Sequence, residues 1–241
     1  FTKHRQNESH SAIRFNYQSA IFSVSGYTKP AIDYAVAHQI FLIEYKGISV
    51  IEPVIQAIKS INTASLTDYG SRNISEVRGI FKDILEAPYL GNDLSTHFTP
   101  EGIVTIKVVS QALSEIQGSY FGMLQGRWPL HLLTSIELPA HAFRNDVVRC
   151  RLQGNREGNW RFTPSGFQEG QEGWFELQFF LPPELAEKIA PHWGSPQEVA
   201  RTKSESFSFI SLSGYIGEIW RNIRIELDRD WLETYLRENR T

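Results

Sequence analysis

Two hydrophobic patterns divide this chain. Near the N-terminus, short continuous apolar runs flank a stretch of helical period. Beyond residue 138, short strand-like runs are separated by glycine and asparagine turns. Ile21-Phe-Ser-Val predicts a buried strand. Ser25-Gly-Tyr-Thr predicts a turn in which Gly26 takes a positive φ. Thr28 is placed to cap a helix and Pro30 to sit in its first turn. That helix runs from Ala31 to His38 with Ala31, Tyr34 and Ala35 on one face. Ile40-Phe-Leu-Ile has the continuous apolar character of a strand covered on both faces. Strand, helix and strand in this order make a βαβ unit, which crosses over right-handed when its strands are parallel.

A further helix is expected over Val54–Ile61, opened by Pro53. Residues 62–73, rich in Ser, Thr, Asn and Gly, read as a linker. Asn73 and Glu76 have capping-box spacing ahead of a helix from Ile74 to Glu86. Thr99-Pro100-Glu101 begins another segment. Its apolar positions 103, 106, 109, 113 and 116 follow a helical period, while its β-branched content leaves a strand open. Strands are expected at 147–152, 159–163, 174–181, 206–211 and 223–227. A short helix from Pro183 ends near Trp193, and Asp228 caps a last one over 229–238. The expected organisation is an α/β segment over residues 1–61, a linker over 62–73, and an α+β domain with an antiparallel sheet over 74–241.

Composition narrows the function classes. The 241 residues are 41% hydrophobic and carry a formal net charge of −3. That is enough for one large or two small cores. A protein that binds nucleic acid over its whole surface is usually basic, so any such contact here is local. The first sixty residues are mildly basic and the remainder acidic. The single cysteine, Cys150, excludes an internal disulfide and fits a cytoplasmic location. No apolar run approaches the roughly 18–20 residues of a membrane helix. No signal peptide is read at the start.

The stretch Ala20-Ile-Phe-Ser-Val-Ser-Gly-Tyr-Thr, with Ala31, Tyr34-Ala35 and Ile-Phe-Leu-Ile after it, resembles the C-terminal part of Mrr-like restriction endonucleases over roughly residues 19–54. The resemblance implies the PD-(D/E)xK nuclease fold, Mg²⁺-dependent cleavage of DNA, and a place in bacterial restriction or anti-phage defence. The chemistry needs two carboxylates on the metal and a lysine at the phosphate. In that family the triad precedes the Gly-Tyr-Thr turn, and no acid-x-Lys strand precedes residue 19 here. The triad therefore lies upstream of Phe1, is absent, or is placed differently. Glu44-Tyr45-Lys46 is an acid-x-Lys at a strand end with both side chains on one side, and Asp33 is the candidate first carboxylate. On this assignment Asp33 and Glu44 hold the metal and Lys46 completes the catalytic set. The alternative is a non-catalytic nucleic-acid or ligand-binding module, or an assembly module, with a degenerate or truncated nuclease core.

Further contact residues are expected outside that stretch. Gly118 to His131 packs three glycines and three aromatics beside an arginine and a histidine, an adaptable surface on which Trp128 stacks a ring while Arg127 meets a phosphate. The other reading is a core-lining loop. His131 belongs to this segment, and Lys29 is a candidate contact on the first helix. Trp160 and Arg161 stand at a polar hairpin tip and form a second candidate patch. A small ligand or protein partner is expected to engage residues 74–241, and a homo-oligomer is possible. His4 and His10 read as a surface segment. His131 and His141 lack ligand spacing, and Cys150 reads as a buried strand residue.

Overall fold

The computed structural model describes residues 19–61, 65, 73, 75–76, 78–79, 98–143, 147–216 and 219–238. Ala20–Ser23 (β1) and Phe41–Glu44 (β2) pair in parallel, from Ala20 opposite Phe41 to Ser23 opposite Glu44, and β1 is exposed at Ile21 and Phe22 rather than buried as its apolar run predicts. Parallel neighbours cannot be joined by a tight turn, and the helix Lys29–Ala37 (α1) supplies the crossover. Gly26 turns the chain out of β1 at φ 86°. Thr28 stands at the N-cap without a side-chain bond, and Pro30 lies in the first turn. Ala35 is the buried residue of α1; its small side chain lets the helix lie close to the sheet.

Glu52–Ser60 (α2) packs against Pro100–Ser114 (α3). Val54, Ile55 and Ala57 are buried on the first helix, and Ile106, Val109 and Ala112 on the second. Helical period therefore prevails over β-branched content in this segment, with Val104 and Val108 left on the exposed side. Thr99 caps α3 by accepting from the Gly102 N–H at 3.2 Å. The Asn73–Glu76 box also forms: the Asn73 Oδ1 accepts from the Glu76 N–H at 3.1 Å, and a Glu76 carboxylate oxygen accepts from the Asn73 N–H at 3.3 Å.

The rest of the described chain is a barrel. Its strands are Gly118–Leu124 (β3), Trp128–Thr134 (β4), Val147–Gly154 (β5), Asn159–Pro164 (β6), Leu177–Phe180 (β7), Phe209–Ile216 (β8) and Ile219–Leu227 (β9). They close in the order β3-β4-β7-β6-β5-β9-β8. The β5–β9 pair is parallel, and the other pairs are antiparallel. Alternate residues fill the interior: Val148, Cys150 and Leu152 from β5, and Trp160 and Phe162 from β6, with Phe162 stacked on Phe179 at 5.3 Å. Pro183–Ile189 (α4), Pro196–Ser206 (α5) and Arg229–Glu238 (α6) add Leu185, Ile189, Ala200 and Leu232 to the same core. The Asp228 carboxylate accepts from the Trp231 N–H at 3.0 Å and caps α6.

This architecture corrects the fold class expected from the sequence. A closed, mixed, seven-stranded barrel stands in place of a restriction-endonuclease-like α/β piece followed by an α+β domain with an antiparallel sheet. Residues 118–134 account for much of the difference. They form the hairpin β3–β4 rather than a loop, and β3 closes the barrel by pairing with β8. Gln125 and Gly126, at φ 50° and 68°, turn the chain between β3 and β4, and the Arg127 N–H donates to the Leu124 carbonyl at 2.9 Å. The parallel β5–β9 pair makes the sheet mixed. Helix α5 was also absent from the pattern. His4, His10 and most of the expected linker and the 74–86 helix lie outside the described residues.

Candidate functional site

The end of β2 and the loop after it lie on the outer face of the barrel. Leu130 and Leu132 of β4 point into the core, which turns His131 outward to this seam. Phe121 lies opposite His131 in register, and the two rings stack at 4.4 Å. The His131 Nδ1 meets the Tyr45 hydroxyl, and its Nε2 lies 2.7 Å from the Ser119 Oγ. Burial holds the His131 imidazole down at about 4 and pushes the Tyr45 phenol up to about 12. Both are neutral at pH 7. A neutral imidazole has one donor and one acceptor nitrogen, so a hydroxyl on each side satisfies it in either tautomer.

Serine, histidine and a third oriented group have the roles of a nucleophile, a base and a positioner. The energetics here differ. A base at about 4 is poorly matched to a serine hydroxyl near neutral pH. Ser119 lies within the regular β3–β4 ladder opposite Leu133 rather than on an exposed elbow. The chain of hydrogen bonds therefore fastens the βαβ unit to the barrel. Tyr27 fastens β1 to β2 in a similar way, its hydroxyl reaching the carbonyls of Ile21 and Ile43 at 2.6 and 2.8 Å.

The three residues of the expected nuclease set have different surroundings. Asp33 lies on the exposed side of α1, paired with Lys29 at 3.2 Å. Glu44 ends β2 half-buried above Gly26. Burial raises its carboxyl above the usual range, and the Lys46 charge offsets part of that rise. Lys46 is exposed. Among the described residues, no three His, Cys, Asp or Glu side chains gather in a metal-holding group. Asp33 is thus engaged by Lys29 on α1, while Glu44 stands at the end of the neighbouring strand β2.

The expected binding residues separate more usefully. Arg127 and Trp128, just past the β3–β4 turn, line a cleft of about 710 Å³. Ala35 and Val36 of α1 and Ile40 and Leu42 also line it, together with the polar Ser19, His38 and Gln39 and with Pro182, Glu184 and Lys188. The Lys188 ammonium stands 5.2 Å from the centre of the Trp128 ring. Lys29 bridges α1 to α4 at the neighbouring Glu187, 3.4 Å away. The hairpin itself is anchored: the Gln125 side-chain amide donates to the Glu205 carbonyl at 2.6 Å and to the Ser208 hydroxyl at 3.0 Å. Trp160 and Arg161 face opposite ways. Trp160 is buried in the barrel, stacked on Phe207 at 4.9 Å, and Arg161 is on the outer face.

Lys188, Tyr45 and Ser119 were not singled out from the sequence. Lys188 sits on a short amphipathic helix with nothing nearby in sequence to mark it, and only the tertiary fold brings it to Trp128. Compared with protein-family models, curated proteins and solved structures, the chain gives no match.

Proposed function

We propose that this chain is a binding module, and that the seam cleft takes the phosphorylated end of a single-stranded nucleic acid. The observation that carries this is Lys188 over the Trp128 ring, with Arg127 adjoining, in a cleft whose lining mixes Ala35, Val36, Ile40 and Leu42 with His38 and Gln39. An aromatic face with apolar and hydrogen-bonding neighbours suits a base, and the two cations suit its phosphate. A cleft of about 710 Å³ is in the range of small-ligand sites. Glu184 leaves the lining only mildly positive, which agrees with a chain whose net charge is −3: the contact is local and spans one or two phosphates. A part in restriction or anti-phage defence rests on the resemblance of residues 19–54 alone, and gives context for a DNA ligand.

Fluorescence anisotropy with a 5′-phosphorylated, dye-labelled oligonucleotide tests the reading. Arg127→Ala and Lys188→Ala each weaken binding, and removing the 5′-phosphate weakens it to a similar degree. Equal affinity in all three comparisons would contradict it.

A further inference from the structure

A second polar site lies on the outer face of β5, β6 and β7. Gln153, Arg161 and Gln178 are cross-strand neighbours in register. The Arg161 Nε–H donates to the Gln153 Oε1 at 2.9 Å, and its Nη1 donates to a Glu176 carboxylate oxygen at 2.9 Å. The Gln178 amide donates to the other oxygen of Glu176. The Ser49 hydroxyl, from the loop after β2, donates to the Gln178 Oε1 at 2.9 Å. Each planar group is thus held in one orientation by its neighbour, and Arg161 and Glu176 cancel in charge.

A cavity of about 320 Å³ lies over this row, between residues 47–49 and the β5–β6 turn. Gly47 approaches so closely that a Cβ there would stand 2.7 Å from the Asn159 amide nitrogen. The Asn159 Oδ1 is buried and has no hydrogen-bond partner among the described residues.

We propose that this cavity receives the hydrogen-bonding edge of an unpaired nucleobase. The inference rests on the reading that the ligand is nucleic acid, and adds a second, uncharged contact to it. Amide and guanidinium groups held side by side on neighbouring strands offer donors and acceptors like those a base edge carries. Arg161 lines the cavity but is already paired with Glu176 at 2.9 Å, which leaves it less able to hold a phosphate than the cations of the seam cleft. A polyhydroxylated sugar is the rival occupant of a neutral polar cavity.

The test uses the full chain and probes without phosphate. Side-chain amide signals of Gln153, Asn155 and Asn159 are followed by NMR during titration with the four common nucleosides, and separately with maltotriose. At least one nucleoside is expected to shift these signals saturably. Gln153→Ala, a surface change that leaves the barrel core intact, lowers that affinity by about tenfold. Lys188→Glu leaves it unchanged, because the seam cleft is a separate site. If Lys188→Glu spares both nucleoside and oligonucleotide binding, the seam reading fails and the base site stands. Shifts with maltotriose alone, no shift with any probe, or nucleoside shifts unaltered by Gln153→Ala would each overturn the proposal.

Discussion

Ser119 and His131 meet on the outside of the barrel, Oγ to Nε2 at 2.7 Å, and Tyr45 reaches the other side of the same ring from the βαβ unit. The seam is therefore fastened through an imidazole that burial keeps neutral. Its folded value of about 4 lies below the ordinary 6.5, so between these limits the unfolded chain binds the extra proton. The contribution of His131 is complete above pH 6.5 and is lost as the pH falls towards 4. Its ceiling is about 3 kcal/mol. Urea unfolding at pH 7 and pH 4.5 should show a larger loss on acidification for the wild type than for His131→Gln. Equal losses would contradict the assignment.

Gly26 joins β1 to α1 at φ 86°, and a Cβ there would lie 3.0 Å from the Glu44 Oε1. Gly26→Ala combines left-handed strain with this approach and should cost about 1–2 kcal/mol, read as a lower urea midpoint. Glu44→Gln has the opposite sign. The raised folded value means that ionisation of Glu44 opposes folding once the pH passes the ordinary carboxyl range. The variant should match or exceed the wild type in stability at pH 7. A clear loss there would show that the carboxylate makes a favourable interaction.

Lys203 on α5 donates to the Leu152 carbonyl at 3.1 Å and lies 5.5 and 5.9 Å from the rings of Trp160 and Trp231. Burial lowers it to about 8 from the ordinary 10.5. The unfolded chain holds the proton longer as the pH rises, so the wild type gains stability between pH 8 and 10.5. Lys203→Met lacks this titration. Its stability relative to the wild type should fall by up to about 3 kcal/mol between pH 7 and pH 10, measured by urea unfolding at both values. A difference independent of pH would contradict the burial of the amine.

Much of the local structure was legible because its signals are local. The continuous run at Ile40–Ile43, the turn at Gly26, the segment start at Thr99, the cap at Asp228 and the Asn73–Glu76 box each depend on a few neighbouring residues. Barrel closure depends on distant partners, above all β3 with β8 and β5 with β9. It was also masked by composition. Gly122 occupies an inward position where a Cβ would meet Leu212 and Ile210 at 2.5 and 2.8 Å, while Phe121 points outward. A glycine inside and an aromatic outside invert the usual alternation, so strand β3 reads as a loop. At the candidate site, Arg127 and Trp128 were legible as sequence neighbours. Lys188 was not, because α4 reaches them only through the fold.

The central claim is that nucleic acid ends in the cleft between the βαβ unit and the barrel. A 5′-phosphorylated oligonucleotide carrying 4-thiothymidine as its first residue, irradiated in complex with the full chain and mapped by mass spectrometry, tests it most directly. The account predicts adducts at Trp128 or on neighbouring cleft residues, reduced in Lys188→Glu. Adducts confined to other surfaces, or unchanged by Lys188→Glu, would contradict it.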